Sequence, residues 1–165
     1  MHKYSPQRES LMTQTKQQHY AELAQQTASL VAGEPDYIAN MANVSSLLYW
    51  ALKDVNWAGF YLLKGQELVL GPFHGQPACI RIPIGKGVCG AAVSENKAQL
   101  VHDVHEFPGH ITCDAASNSE VVLPVYVKGE IFAVLDLDSP NIGRFEQADL
   151  DGLQLIVNAL QASLR

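Results

Sequence analysis

A chain of 165 residues, 47% of them hydrophobic, is long enough to bury one substantial core, and ordinary domain sizes lead us to expect one unit. Its formal charge of −6 repels phosphate backbones and anionic membrane surfaces, which argues against nucleic acid and membrane as partners. No stretch reaches the roughly 20 apolar residues of a membrane span, the N-terminus lacks the apolar centre of a signal peptide, and three cysteines do not read as a secreted disulfide framework, so a cytoplasmic protein is expected.

Residues 1–14 are polar and aperiodic and are expected to be a flexible extension, with 15–165 folding as a single domain. Tyr20, Leu23, Ala24, Thr27, Leu30 and Val31 recur at helical spacing up to Gly33. Pro35 suits the first turn of a second helix, whose stripe is Ile38, Met41, Ser45, Leu48 and Leu52. The run WAGFYLLKGQELVLGPF, broken at Lys64-Gly65, predicts a β-hairpin. In the glycine-dense GKGVCGAAVSEN, a short helix could turn Val88, Ala91 and Ala92 to a core, and Gln99 to Val101 reads as a brief strand. Gly85-Lys86-Gly87 lacks the spacing of a phosphate-binding loop and reads as a turn.

From Asp103 to Asn118 there is no usable period, as in functional loops. SEVVLPVYV and EIFAVLDLD then flank Lys128-Gly129, and Leu150, Leu153, Val157, Leu160 and Leu164 form a closing helix. Helices first, hairpins in the middle and a helix last predict an α+β fold: an antiparallel sheet with helices on one face and the other face free for a site.

The register of the second hairpin decides what that free face carries. With a two-residue loop, Glu120 pairs with Leu137 and Asp136 with Val121, which mixes acidic and apolar residues on both faces. With a three-residue loop, Lys128 to Glu130, one face is Val121, Leu123, Val125 and Val127 with Ile131, Ala133, Leu135 and Leu137, all apolar. The other face then holds Glu120, Val122, Pro124 and Tyr126 with Phe132, Val134, Asp136 and Asp138, and Glu120 lies across from Asp138. Opposed like charges destabilise a sheet, so this clustering points either to a solvated edge or to acids whose mutual repulsion keeps a proton near neutral pH.

Of the cysteines, Cys79 follows Pro77 in a loop, Cys89 lies near a helix start and best fits inert packing, and Cys113 sits among His110, Thr112, Asp114 and Asn118, where a thiolate could be presented. The competing reading of this loop is a metal site from His102-x-x-His105 and His110-x-x-Cys113, although the spacing matches no standard zinc pattern. Trp57 and Tyr61 combine apolar area with a polar tip and could wall a pocket.

DVNWAGFYLL, LVLGPFHGQPACIRIPIGKGVCG, CDAASNSEVVLPV and VLDLDS together resemble the free methionine-(R)-sulfoxide reductases, from about Glu34 to the C-terminus. The resemblance implies a GAF fold, reduction of free rather than peptide-bound methionine-(R)-sulfoxide, and regeneration by thioredoxin, with no metal, flavin or nucleotide cofactor. It implies that Cys113 is the nucleophile, Cys79 the main resolving cysteine and Cys89 an auxiliary one. Glu120, Asp136 and Asp138 match the family's substrate-binding acids, and Trp57 and Tyr61 its aromatic wall. A homodimer is compatible with the chain. The alternative is a GAF-type sensor that binds a small molecule without chemistry.

Overall fold

The computed structural model describes residues 15–111, 113 and 115–164, so the expected extension over 1–14 lies outside the described residues. Helix α1 (Lys16–Val31) starts at a Thr15/Gln18 capping box, in which the Thr15 side chain accepts from the Gln18 N–H and the Gln18 side chain accepts in return. Helix α2 (Tyr37–Ala51) is capped by Asp36, whose side chain accepts from the Ala39 N–H, so Pro35 lies before the cap rather than in the first turn as expected. The stripe residues Tyr20, Leu23, Thr27, Val31, Met41, Ser45 and Leu48 are buried, whereas Leu30 and Ile38 are exposed at the stripe edges.

The strands are β1 (Trp57–Lys64), β2 (Glu67–Gly75), β3 (Arg81–Pro83), β4 (Gln99–Val101), β5 (Ser119–Val127) and β6 (Glu130–Ser139). They form one antiparallel sheet in the order β3-β2-β1-β6-β5-β4. A bulge between Gly59 and Tyr61 sets two residues of β2, Gly71 and Pro72, against Phe60, a position where proline's missing N–H costs no ladder bond.

Helices α1, α2 and the last helix, α4 (Gln147–Gln161), cover one face over a core that includes Leu48, Phe60, Leu123, Leu135, Leu137, Leu153 and Ile156. The expectation that helices keep to one face is corrected by α3 (Gly87–Glu95), which packs Val88, Cys89 and Ala92 against Trp57, Tyr61, Val122 and Val134 on the other. Its close approach depends on Gly90, where a Cβ would come within 2.6 Å of the Pro83 carbonyl oxygen.

The second hairpin corrects one expectation and meets another. Its loop has two residues, Lys128 and Gly129, both with positive φ, and Val127 pairs with Glu130, so the three-residue loop is not what forms. A bulge between Val125 and Tyr126 leaves Phe132 as an extra residue, after which Val125 pairs with Ala133 and Glu120 with Asp138. The bulge thus supplies the offset that had been assigned to the loop. Val121, Leu123, Val125, Ala133, Leu135 and Leu137 accordingly share the helix-covered core. Phe132, expected among the acids, instead packs toward that core, with Tyr37 edge-on at 5.2 Å.

Candidate active site

Three adjacent strands place the side chains of the site at one end of the sheet. Glu120 on β5 pairs with Asp138 on β6, Asp138 pairs with Trp57 on β1, and Gly59 pairs with Asp136. Because alternate residues of a strand share a face, Trp57 and Tyr61, Glu120 and Val122, and Val134, Asp136 and Asp138 all point to the side covered by α3. Trp57, Tyr61, Glu120, Asp136 and Asp138 line a cavity of about 40 Å³ together with Pro77, Ala78, Cys89, His110, Ile111, Cys113 and Ser117.

The aromatic wall is fixed by its polar tips. Trp57 stacks on Phe73 at 5.2 Å and donates through Nε1 to the Gln76 carbonyl at 3.1 Å, and the Tyr61 hydroxyl donates to the Cys79 carbonyl at 2.9 Å. Both tips therefore hold the backbone of the segment that carries Cys79.

Cys79 is joined to Cys113 in a disulfide, with the Cα atoms 5.3 Å apart. The loop that carries Cys113 is anchored at both ends. The Val104 N–H donates to the Asn118 carbonyl at 3.0 Å, the Asn118 N–H to the Ser139 carbonyl at 2.7 Å, and the Asn118 side-chain amide to the Pro140 carbonyl at 2.7 Å. Asn118, read from sequence only as a polar neighbour of Cys113, is thus the pin between this loop and the acid-bearing strand β6.

Below the disulfide lie the acids. Glu120 and Asp136 are only 8% and 5% exposed, Asp138 is half-buried, the three carboxyls hydrogen-bond among themselves, and Asp136 also bonds the Cys89 thiol. Burial, reinforced by the charges of Asp136 and Asp138, pushes Glu120 well above the usual carboxylate range. Burial also raises Asp136, against the lowering effect of hydrogen bonds from Glu120, Cys89 and Asp138. The solvated-edge reading of these acids does not survive their burial. Asp136 Oδ1 has no hydrogen-bond partner among the described residues.

Cys89 is 3% exposed, as inert packing would have it, but its neighbours are carboxylates rather than a purely apolar shell. Burial, with the nearby Asp136, Glu120 and Asp138, drives its thiol pKa up. The histidine-based metal site finds no support: Cys113 is in the disulfide, His105 Nε2 hydrogen-bonds Asn118 Oδ1 at 2.9 Å, and the group able to converge on an ion among the described residues is Cys89, Glu120 and Asp136. All the candidate site residues except Cys79 line the cavity, and Cys79 reaches it through its bond to Cys113. Ile82, Ile111 and Ser117 were not foreseen, since nothing in their local pattern marks them as lining.

A GAF-domain family model matches residues 39–165. The free methionine-R-sulfoxide reductase of Escherichia coli (strain K12) is 54% identical over 149 residues, covering 90% of this chain and 90% of its own length. Among solved structures, fRMsr of Staphylococcus aureus in complex with substrate is 50% identical with a TM-score of 0.85, covering 88% of this chain and 95% of that one. The free methionine-R-sulfoxide reductase from Neisseria meningitidis in complex with its substrate is 39% identical with a TM-score of 0.87, covering 92% and 91%.

Proposed function

The chain belongs to the free methionine-R-sulfoxide reductases, oxidoreductases of the GAF fold, and from that membership we propose that it reduces free L-methionine (R)-sulfoxide through a Cys113 thiolate recharged by thioredoxin. The observation that carries the reading is the Cys79–Cys113 pairing at a cavity that Cys113 lines together with buried acids whose pKa values are raised. A sensor that only binds has no use for a paired nucleophile and resolver.

In the proposed first step, sulfur of Cys113 attacks the sulfoxide sulfur while the acid cluster protonates the departing oxygen. The S–O bond breaks, the sulfoxide sulfur gains two electrons, and Cys113 loses two and takes the oxygen as a sulfenic acid. A carboxyl held protonated by burial and like-charged neighbours suits that donation, which Glu120 and Asp136 share with Asp138. Trp57 and Tyr61 pack against the substrate's apolar part.

Next the Cys79 thiol attacks the sulfenic sulfur, water leaves, and the disulfide forms. The dithiol of thioredoxin attacks this disulfide, passes through a mixed disulfide and departs oxidised, leaving both cysteines reduced. Cys89 acts as an auxiliary resolver only if α3 shifts, since its side chain is buried and bonds Asp136. Preference for the free amino acid follows from a closed pocket that must pair the substrate's ammonium and carboxylate, which a peptide lacks.

The test is a single turnover without reductant. Cys113→Ser should release no methionine. Cys79→Ser should release about one equivalent, because sulfenic acid formation needs no second thiol, then stall with thioredoxin and recover with dithiothreitol. Methionine released by Cys113→Ser would overturn the assignment of the nucleophile.

A further inference from the structure

Cys89 Sγ, a Glu120 carboxylate oxygen and an Asp136 carboxylate oxygen all lie within 4.8 Å of one another, on two strands and a helix that approach from different directions. All three side chains are more than nine-tenths buried. Hydrogen bonds within the group satisfy part of it, but Asp136 Oδ1 is left with no partner among the described residues, and a buried carboxylate oxygen without a donor is costly to maintain. Cys89, Glu120 and Asp136 all line the cavity, so the electron-rich group faces it.

The cavity, of about 40 Å³, has room for water beside an ion held by these three side chains. A group with one sulfur and two oxygen donors discriminates among cations. Calcium takes six to eight oxygens and magnesium an octahedral set of oxygens, and neither is suited to a thiolate. A thiolate donor favours a soft or borderline ion, and three protein ligands plus one water make the open tetrahedral arrangement of zinc.

We propose that Cys89, Glu120 and Asp136 form a zinc-class cation site in the disulfide form of the enzyme. Binding replaces the Cys89 S–H bond by a sulfur–metal bond and releases that proton, together with those that the two carboxyls share, to solvent. No electron moves. Three buried groups become ligands to a dication, which supplies the positive charge their surroundings lack. Because Glu120 and Asp136 then serve the ion, zinc retained after the disulfide is reduced excludes proton donation to a sulfoxide, and the site is inhibitory.

The disulfide form makes the proposal testable without turnover. The chain has three cysteines, and two are locked together, so Cys89 is its only thiol. Titration of the oxidised full chain with Cd²⁺ should give an ultraviolet sulfur-to-metal charge-transfer band that saturates at one equivalent and disappears when Zn²⁺ is added. Competition with a zinc indicator should show at least tenfold weaker binding in Cys89→Ser and in Asp136→Asn, each checked for native fold by near-ultraviolet circular dichroism, and affinity should rise with pH as protons are released. Absence of the band in the native chain overturns the proposal, even where the variants fail to fold. So does zinc binding of equal strength in well-folded Cys89→Ser, which would place the ion on surface histidines. The readout is independent of the reductase reading: loss of turnover in Cys113→Ser does not alter it.

Discussion

Asp149 and the Glu120–Asp136 pair are buried carboxylates on opposite sides of the same sheet, and the chain treats them in opposite ways. Asp149, at the start of α4, is fully buried and fully partnered. It accepts from the Tyr20 hydroxyl at 2.8 Å, the Lys16 ammonium at 2.9 Å, the Arg144 guanidinium at 3.2 Å and the Glu146 N–H at 2.8 Å. Burial alone would raise its pKa, but those donors outweigh burial and hold it below the usual carboxylate range. The pocket acids have no cation among the causes that shift them, and their pKa values rise. One side spends its carboxylate on joining α1 to α4, and the other keeps a strained set of acids where a ligand can use them, which is where local rules of satisfaction are expected to fail.

The comparison breaks first on kinetics. Glu120→Gln keeps shape while removing the acid proposed as a proton donor, and general acid catalysis contributes about 10² to 10⁴ in rate, so the single-turnover rate should fall within that range. Its thermal stability at neutral pH should hold or rise, because the wild-type fold gains nothing from holding that acid in a place that resists ionisation. A variant that unfolds early yet reacts at the normal rate would show that Glu120 belongs with Asp149 as a structural acid.

Asp149→Ala should invert this pattern. Removing one partner of a buried ionic group costs about 3 kcal/mol or more. For a chain of this size that is a fall in Tm of about 10 °C. The rate per folded molecule should be unchanged, since Asp149 is not among the residues of the cavity. Thermal denaturation paired with active-site titration separates the two quantities.

pH sharpens the contrast, because the shifts have opposite sign. Asp149 stabilises the fold above the ordinary aspartate range near 3.9, and that stabilisation is lost as pH falls through its depressed folded value. For Glu120 and Asp136, which titrate as a unit, rising pH ionises the unfolded chain first while the folded pair keeps its proton. Stability therefore declines above the ordinary carboxylate range until the folded pair ionises. Melting curves should show the wild type losing ground to Glu120→Gln as pH rises, and the deficit of Asp149→Ala shrinking in acid.

The sequence carried the pocket cluster and not the Asp149 cluster for a physical reason. Strand alternation is a period of two, so once the hairpin is registered the acids of β5 and β6 must share a face. Even there the route was wrong in part, because Lys128 and Gly129 make a two-residue turn and the bulge at Phe132 restores the offset, and sequence does not distinguish these two ways of inserting one residue. Lys16, Tyr20, Arg144 and Asp149 are brought together by the packing of α1 on α4, more than 120 positions apart, and no local period links them. Cys89 was legible as a buried thiol beside glycines, but its bond to Asp136 depends on how closely Gly90 lets α3 approach the strands. The Cys79–Cys113 pairing came from family resemblance, since three cysteines allow three pairings.

The smallest expected effect tests whether the Asp149 cluster is a network with reserve. Tyr20→Phe removes one donor of the four and leaves the ring, which packs so tightly on α4 that a Cβ at Gly152 would lie 2.1 Å from Tyr20 Cγ. Packing is therefore retained, and the loss reduces to one hydrogen bond to a charged acceptor whose other donors remain. Such bonds are worth about 1.5 kcal/mol or somewhat more when their acceptor is stranded, so here a loss nearer 1 kcal/mol, about 3 °C in Tm, is expected. Lys16 and Arg144 still hold the carboxylate ionised, so the acid limb of the stability curve should move only slightly toward higher pH. A loss as large as that of Asp149→Ala would mean that the hydroxyl, rather than the two cations, keeps the carboxylate ionised, and the contrast between a charge-compensated side and an uncompensated one would then have to be redrawn around a single phenol.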